Sequence, residues 1–507
     1  MHILNALLVW GILRLLTRSW EQREETPPPP RAAREGACFL GALLWALHPA
    51  QVEPVAWITG FNNVLSGFFA LGALWLHLRA GRAETTPRAA RLLEIAAVAS
   101  FILALLSKPT AALLPAIIWV LDVCILGRPA RRAASSLLPW LIASLVTILA
   151  GSRSATDVAP FLVTSLWERP LLVLDAWGHY LAELILPLGL GVDYGHPPAV
   201  AMARFLAEPF WLLPCLLAGL AWWQRRRHPI ILAAAAIFAL ATLSTSGIVP
   251  YYFHAYSTFA DRYLYLAMLG PALVLTWWLR RPKLVNYGMA TTVLLLWGLQ
   301  SSVQVSTWQD SFTLWQHALV VNPNSVEACL NMASALGRVA QPRAAAYFAQ
   351  RALQLEPNNG KGHMVLGLAM EKEGDRHQAM VEIGQALKLG LNDTNDYNTL
   401  GVSLAEDSHN RIAAMAFECA IALDPDDSES YNNLSKVQLT LGLAAEAEKN
   451  ARRATQLAPD LPEARFNLAH ALSLLGRSTE AAAQLKYLLV LDPSNKPARQ
   501  VLAAMRR

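Results

Sequence analysis

Charged residues are scarce in this chain. Asp, Glu, Lys and Arg make up 16% of its 507 residues, where a soluble globular protein carries about a quarter. The deficit excludes an ordinary soluble protein over the whole length, because 54% of the residues are hydrophobic. The small basic surplus, 42 Lys and Arg against 37 Asp and Glu, is no nucleic-acid footprint. Cysteine is sparse too. Cys38, Cys124, Cys215, Cys329 and Cys419 lie far apart with no CxxC or zinc-type spacing, so they read as small apolar fillers. No metal-ligand set is expected. There is no Walker loop, GxSxG elbow, HExxH or dinucleotide fingerprint. A cleavable signal peptide is not expected either: Ile3–Leu16 is followed by Arg18 and a proline run, Pro27–Pro30, with no small-residue cleavage site.

Long apolar runs are what the first 300 or so residues do contain. About ten stretches read as membrane spans of roughly 20 mostly apolar residues or somewhat fewer. They are Ile3–Leu16, Ala37–Leu47, Val55–Leu78, Leu92–Leu106, Thr110–Leu126, Ala133–Ala150, Phe210–Trp223, Ile230–Ile248, Tyr263–Leu279 and Tyr287–Leu299. Leu171–Leu190 carries Asp175, His179 and Glu183 and reads as an interfacial or re-entrant helix. Arginine clusters at residues 14–34, 79–91, 128–132, 225–227 and 280–281 all fall on one side of this arrangement. By the positive-inside rule that side is cytoplasmic. The loops with His48, Lys108 and Asp261, and everything beyond the last span, are then expected outside the cytoplasm. That means periplasmic in a bacterium, lumenal in a eukaryote.

Composition shifts near residues 304–308, and the remaining 200 residues repeat. Prolines recur at Pro323, Pro357, Pro425, Pro459 and Pro493, steps of 34 with one step skipped at Leu391. Alanines keep the same register, at Ala345, Ala379, Ala413, Ala447 and Ala481, and at Ala318, Ala352, Ala386, Ala420 and Ala454. A third column pairs Leu with a small residue, as at Leu366–Gly367 and Leu400–Gly401. Period and pattern are those of the tetratricopeptide repeat (TPR), a pair of antiparallel helices. Five repeats are expected over Val326–Asn495, flanked by helices Ser311–Val321 and Pro497–Met505. The domain assignment is therefore a membrane domain at 1–305 and a repeat domain at 306–507, in an all-α chain. Asn331, Asn433 and Asn467 share the sixth position of their repeats, which faces the concave side of such an array. Their amides are candidates for hydrogen-bonding an extended peptide backbone. Val365 and Thr399 stand there in the other two repeats.

Four polar features interrupt the apolar half. His48 and Glu53 lie in HPAQVEPVAW, a costly pair at a membrane boundary unless solvated or paired, and candidates for acid–base work. Lys108, in LLSKPT between two apolar runs, suits either an anion or a snorkelling role. Asp261 and Arg262, in FADRYLY, suit a fixed ion pair or an anion site. Asp175, Trp177, His179 and Tyr180 read as part of the interfacial helix.

Four segments, His48–Gly67, Leu105–Asp122, Phe259–Gly270 and Ser306–Pro323, occur in that order ahead of the repeats. Together they resemble the transmembrane-and-TPR protein O-mannosyltransferases and their bacterial relatives, of the GT-C glycosyltransferase class. The resemblance spans nearly the whole chain. It implies a GT-C-like helical bundle and a polyprenyl- or dolichyl-phosphate sugar donor. It also implies transfer of a sugar, mannose by analogy, to Ser or Thr of an extracytoplasmic polypeptide bound by the repeats. On it, Lys108 and Arg262 hold the donor phosphate, and Glu53, His48 and Asp261 organise the catalytic site. Met1–Leu8 matches the opening of the family's second helix, so the family's acidic pair would precede this sequence. Phe61 stands where relatives carry a basic residue. The alternative is a non-catalytic, membrane-anchored TPR scaffold.

Overall fold

A computed structural model describes residues 1–23, 27–82, 85–154, 164–249, 252–281 and 283–505. The chain divides into two compact units, Met1–Ser325 and Val326–Arg507. Both are helical. Among the described residues the one extended pairing is an isolated bridge between His196 and Ser257.

In the first unit, helices Phe61–Ala80 and Pro87–Ser107 pack along their length as a hairpin. His2–Glu21 lies against Phe61–Ala80 and Arg31–Leu47, and Arg31–Leu47 packs on Leu269–Leu279. Local chemistry sets the boundaries. Thr86 accepts the Ala89 N–H at 3.4 Å and Pro87 supplies a preset first turn, while Pro109 follows the end at Ser107. The core is apolar and aromatic, with Trp45, Phe101, Trp140 and Tyr180 fully buried. The outward faces are apolar as well. On Pro87–Ser107, Leu92 is 61% exposed and Leu106 78%, although Phe101 and Leu105 of the same helix are buried.

Among the described residues three helices, His2–Glu21, Ile58–Ala80 and Pro87–Ser107, are long and apolar enough to cross a membrane. The count rises to five if each of two bent pairs is one span: Ala130–Ser136 with Leu138–Ala150 (56°) and Pro198–Arg204 with Pro209–Gln224 (82°). Pro109–Cys124, Pro229–Leu243 and Leu269–Leu279 are apolar but shorter. Hydropathy alone reads about ten stretches. Part of the difference arises where a turn breaks an apolar run, as at Met268, or where the helix is short, as at Pro229–Leu243.

The Ser311–Val321 helix, expected to open the repeat region, falls in the first unit. His317 Nε2 lies 2.8 Å from the Leu190 carbonyl oxygen, and Asp193 accepts from Ser325 Oγ. The Pro187–His196 segment is thereby fixed.

The second unit repeats with a 34-residue step. First helices begin at Val326, Gly360, Thr394, Ser428 and Pro462, and second helices at Pro342, Arg376, Asn410, Ala444 and Ser478. Asn359, Asp393 and Asp427 cap three of the first helices. The alanine columns are buried throughout, which lets the helices approach closely. Each repeat proline lies two residues past the end of a second helix, as Pro425 does after Leu423. At the skipped step Gly390 adopts φ +82°, and the Leu391 N–H, which proline would lack, is accepted by Tyr397 Oη at 2.9 Å.

Candidate functional site

Glu53, near the start of a five-residue helix Val52–Ala56, is buried. Its partner is Arg262, in the 3-10 turn Asp261–Tyr263. Glu53 Oε2 accepts the Arg262 main-chain N–H at 2.8 Å, and Oε1 accepts Nη1 at 2.5 Å. The guanidinium also lies over three rings: Phe253 at 4.0 Å, Tyr263 at 4.9 Å and Trp57 at 5.4 Å. Both charges are thus paired, as burial demands.

Asp261 points elsewhere. Its Oδ1 accepts from Tyr194 Oη, and Tyr194 Oη in turn accepts the Gly191 N–H at 3.2 Å. Burial raises the Asp261 carboxyl well above the usual carboxylate range, and the charges of Glu183 and Glu53 raise it further. Tyr180 Oη accepts the Ala260 N–H at 3.1 Å and fixes the entry to the turn.

Lys108 follows the Pro87–Ser107 helix and donates to Asn63 Oδ1, with its ammonium 5.2 Å from the Tyr263 ring centroid. Burial, and then the charge of Arg262, lower its pKa to about 8. Lys108 and Arg262 line one small cavity of about 30 Å³, together with Asn63, Thr110 and Tyr265. That volume suits one or two waters. A phosphate group would need the cavity to open.

His48 is fully buried, and it is turned away from this cluster. Its Nδ1 accepts the Ala50 N–H at 3.2 Å, its Nε2 lies 3.4 Å from the Leu184 carbonyl oxygen, and its ring meets Trp297 edge-on at 4.6 Å. These contacts cap a turn. Burial lowers its pKa to about 4, so the ring is neutral at physiological pH.

Five of the residues named from sequence are thus distributed over two features. Glu53, Arg262, Lys108 and Asp261 come together, and His48 caps a neighbouring turn. Tyr194, Tyr180 and Glu183 complete the cluster. Glu183 stands out in sequence only as an acid in an apolar stretch. Tyr180 is marked in sequence only as part of the interfacial helix, and Tyr194 carries no signal until the fold brings residues 180 and 194 beside 260 and 261.

The interfacial-helix residues have a second role in the fold. Asp175 and His179, one turn apart on Arg169–Ile185, meet His196. Asp175 Oδ2 lies 2.8 Å from His196 Nε2 and 3.6 Å from His179 Nδ1. His196 is the member that sequence spacing did not connect to the other two.

In the second unit a cavity of about 530 Å³ opens along the first helices of three successive repeats and reaches Glu429 on the first helix of a fourth. Met364, Val365, Leu368 and Val402 supply apolar surface, and Arg338 and Lys372 are at its edge. Val365 and Thr399, the two non-asparagine residues of the sixth-position column, line it. The asparagines differ among themselves. Asn331 Nδ2 donates to Glu327 Oε1 of its own helix at 2.7 Å, and Asn467 Nδ2 to Asn432 Oδ1 at 2.9 Å. Asn433 Nδ2 is buried and has no partner among the described residues. It lies one turn beyond Glu429, which lines the cavity.

Comparison with known proteins bears on this second unit. The tetratricopeptide-repeat family model matches residues 428–461, so the chain contains tetratricopeptide repeats. Similar solved structures include YrrB, described as a TPR protein with an unusual peptide-binding site. It is 19% identical over 37% of this chain and 96% of its own, with a TM-score of 0.31. Others are MamA from Desulfovibrio magneticus RS-1 (19%, 34% and 97%, 0.29) and PilF of Pseudomonas aeruginosa (18%, 36% and 88%, 0.30). No curated protein matches the chain.

Proposed function

We propose that the chain is a membrane-anchored scaffold whose TPR array binds an extended polypeptide. The groove carries this reading. A cavity of about 530 Å³ with an apolar floor and charged edges is lined by consecutive first helices, the surface that stacked repeats offer to partners. Asn433 continues the sixth-position column of Val365 and Thr399, which line the cavity, and its amide, unpartnered among the described residues, would donate to a peptide carbonyl if the side chain turned outward. The leucines and isoleucines exposed on the outward faces of the first unit, which water would penalise, support the anchoring. The repeats would then work on the extracytoplasmic side, by the arginine distribution.

The test is selection of peptides from a displayed random library on the full chain in detergent. Selected peptides should bind Leu368→Arg at least tenfold more weakly than the parent, and Asn433→Ala several-fold more weakly. Peptides that bind all three proteins equally would refute the groove as the binding surface.

A second reading is favoured by one observation: Lys108 and Arg262 line the same cavity, and Arg262 is paired with Glu53. Together with the motif resemblance, this supports transfer of a sugar from a polyprenyl-phosphate donor to polypeptide hydroxyls. Lys108 and Arg262 would hold the departing phosphate, and the repeats would bind the acceptor. Incubating membranes with radiolabelled polyprenyl-phosphate mannose and a Ser/Thr-rich acceptor tests it. Label that appears in protein and falls with Lys108→Ala supports transfer. Label that is absent with every lipid-linked sugar supplied leaves the scaffold reading standing alone.

A further inference from the structure

We infer that Asp175, His179 and His196 form a binding site for one divalent transition-metal ion of the zinc class. Each residue offers a ligand atom, and the three atoms lie within 4.8 Å of one another. Asp175 and His196 are buried, and His179 is half-buried. Two imidazole nitrogens and one carboxylate oxygen are a donor set that suits zinc, cobalt or ferrous ions rather than calcium or magnesium. Ligand atoms around a tetrahedral zinc, each about 2.1 Å from the metal, stand roughly 3.4 Å apart. The observed separations of Asp175 Oδ2 from the two rings, 2.8 Å and 3.6 Å, fall on either side of that value. Small side-chain rotations would suffice to admit the ion, which would replace the Asp175–His196 hydrogen bond.

The surroundings are those of a built site. Phe259 stacks on His179 with ring centroids 4.6 Å apart and planes 15° apart, and Phe210 lies at 4.6 Å on the same ring. His179 Nδ1 lies 3.0 Å from the Asp175 main-chain oxygen, and the ring would give up that hydrogen bond to ligate through Nδ1. His196 is held by its backbone: its N–H is accepted by Tyr256 O at 3.1 Å, and its carbonyl accepts the Thr258 N–H at 2.9 Å. The ion would therefore join the Arg169–Ile185 helix to His196, whose backbone is paired with residues 256–258. Three protein ligands leave a fourth position for water or another ligand.

The test uses the full chain in detergent, stripped with chelator and titrated with zinc by calorimetry and with cobalt by visible absorption. One tight site per chain is expected, with cobalt bands of low-symmetry nitrogen–oxygen coordination. His196→Gln and Asp175→Asn should each weaken that site at least tenfold and remove the bands. X-ray absorption on the unsubstituted zinc-loaded chain, expected to show two imidazoles, does not depend on the variants folding. Bands and affinity unchanged in both folded variants, no tight site, or zinc bound without two imidazole ligands would each overturn the proposal.

Discussion

Glu53 holds Arg262 twice, once through the main-chain N–H and once through the guanidinium, across 209 residues of sequence. The arrangement fixes both the position of the Asp261–Tyr263 turn and the direction of its cation. Replacing one partner leaves the other buried and uncompensated, at a cost of about 3–5 kcal/mol. Glu53→Gln and Arg262→Gln should each lower the temperature at which the detergent-solubilised chain loses its monodisperse elution profile. The double variant should cost clearly less than the two single losses added together. Strictly additive losses would mean that the two side chains stabilise the fold separately.

Lys108 is predicted to titrate near pH 8. Its folded pKa lies below the ordinary 10.5 because burial and then Arg262 disfavour the ammonium. The folded chain gives up this proton before the unfolded chain does. The linked stability is therefore lowest below about pH 8 and rises as pH climbs from there towards 10.5. An anion placed in the cavity with Lys108 and Arg262 should shift the midpoint upward. Carbon-13 methylated lysines read this directly, since Lys108 and Lys283 are the lysines of residues 1–325 and Lys108→Arg assigns the signal. A midpoint near 10.5 in the folded chain would show that Lys108 is solvated.

The two units differ in how openly their sequence states their structure. The repeats are periodic, so every buried alanine is announced several times over, and helix starts recur at the predicted 34-residue step. In the first unit, single polar residues in an apolar background mark Glu53, Lys108, Asp261 and Arg262 as unusual. They do not say which meets which. The partner of Glu53 is 209 residues away. His48 carries the same sequence mark and yet caps a turn. His196 sits 21 residues from Asp175, beyond any helical spacing, and the backbone bridge to Ser257 brings it there. Helix Ser311–Val321 follows the composition shift, but its His317 meets Leu190 and Asn322 just past its end meets Asp193, which sequence alone does not link to it.

Gly401 illustrates the close approach on which the repeats depend. A methyl group there would meet the Phe417 ring at 2.6 Å, and Phe417 is fully buried on the facing helix. Gly367 stands equivalently against Ile383 at 2.8 Å. Gly401→Ala should destabilise the second unit by about 1–3 kcal/mol through overpacking, although alanine is the better helix former. Hydrogen exchange should quicken in Thr394–Leu423 first. A neutral or stabilising effect would mean that the two helices separate readily. Gly401→Ala with Phe417→Leu should recover part of the loss, because the smaller side chain vacates the ring's volume.

The repeat without proline makes the opposite kind of demand. Leu391 stands where proline ends the turn in the other repeats, and it brings an N–H that those prolines lack. Tyr397 Oη accepts it at 2.9 Å, and both residues are buried. Tyr397→Phe should therefore cost about 1–3 kcal/mol, since it strands a buried donor. Leu391→Pro removes that donor but also removes apolar packing, so alone it should destabilise as well. The informative protein is the double variant. Once Leu391→Pro has removed the N–H, Tyr397→Phe has no donor left to strand, and the combined loss, read from denaturant unfolding, should fall short of the sum. A combined loss equal to the sum would assign the cost of Tyr397→Phe to the missing hydroxyl's other surroundings, not to the Leu391 N–H.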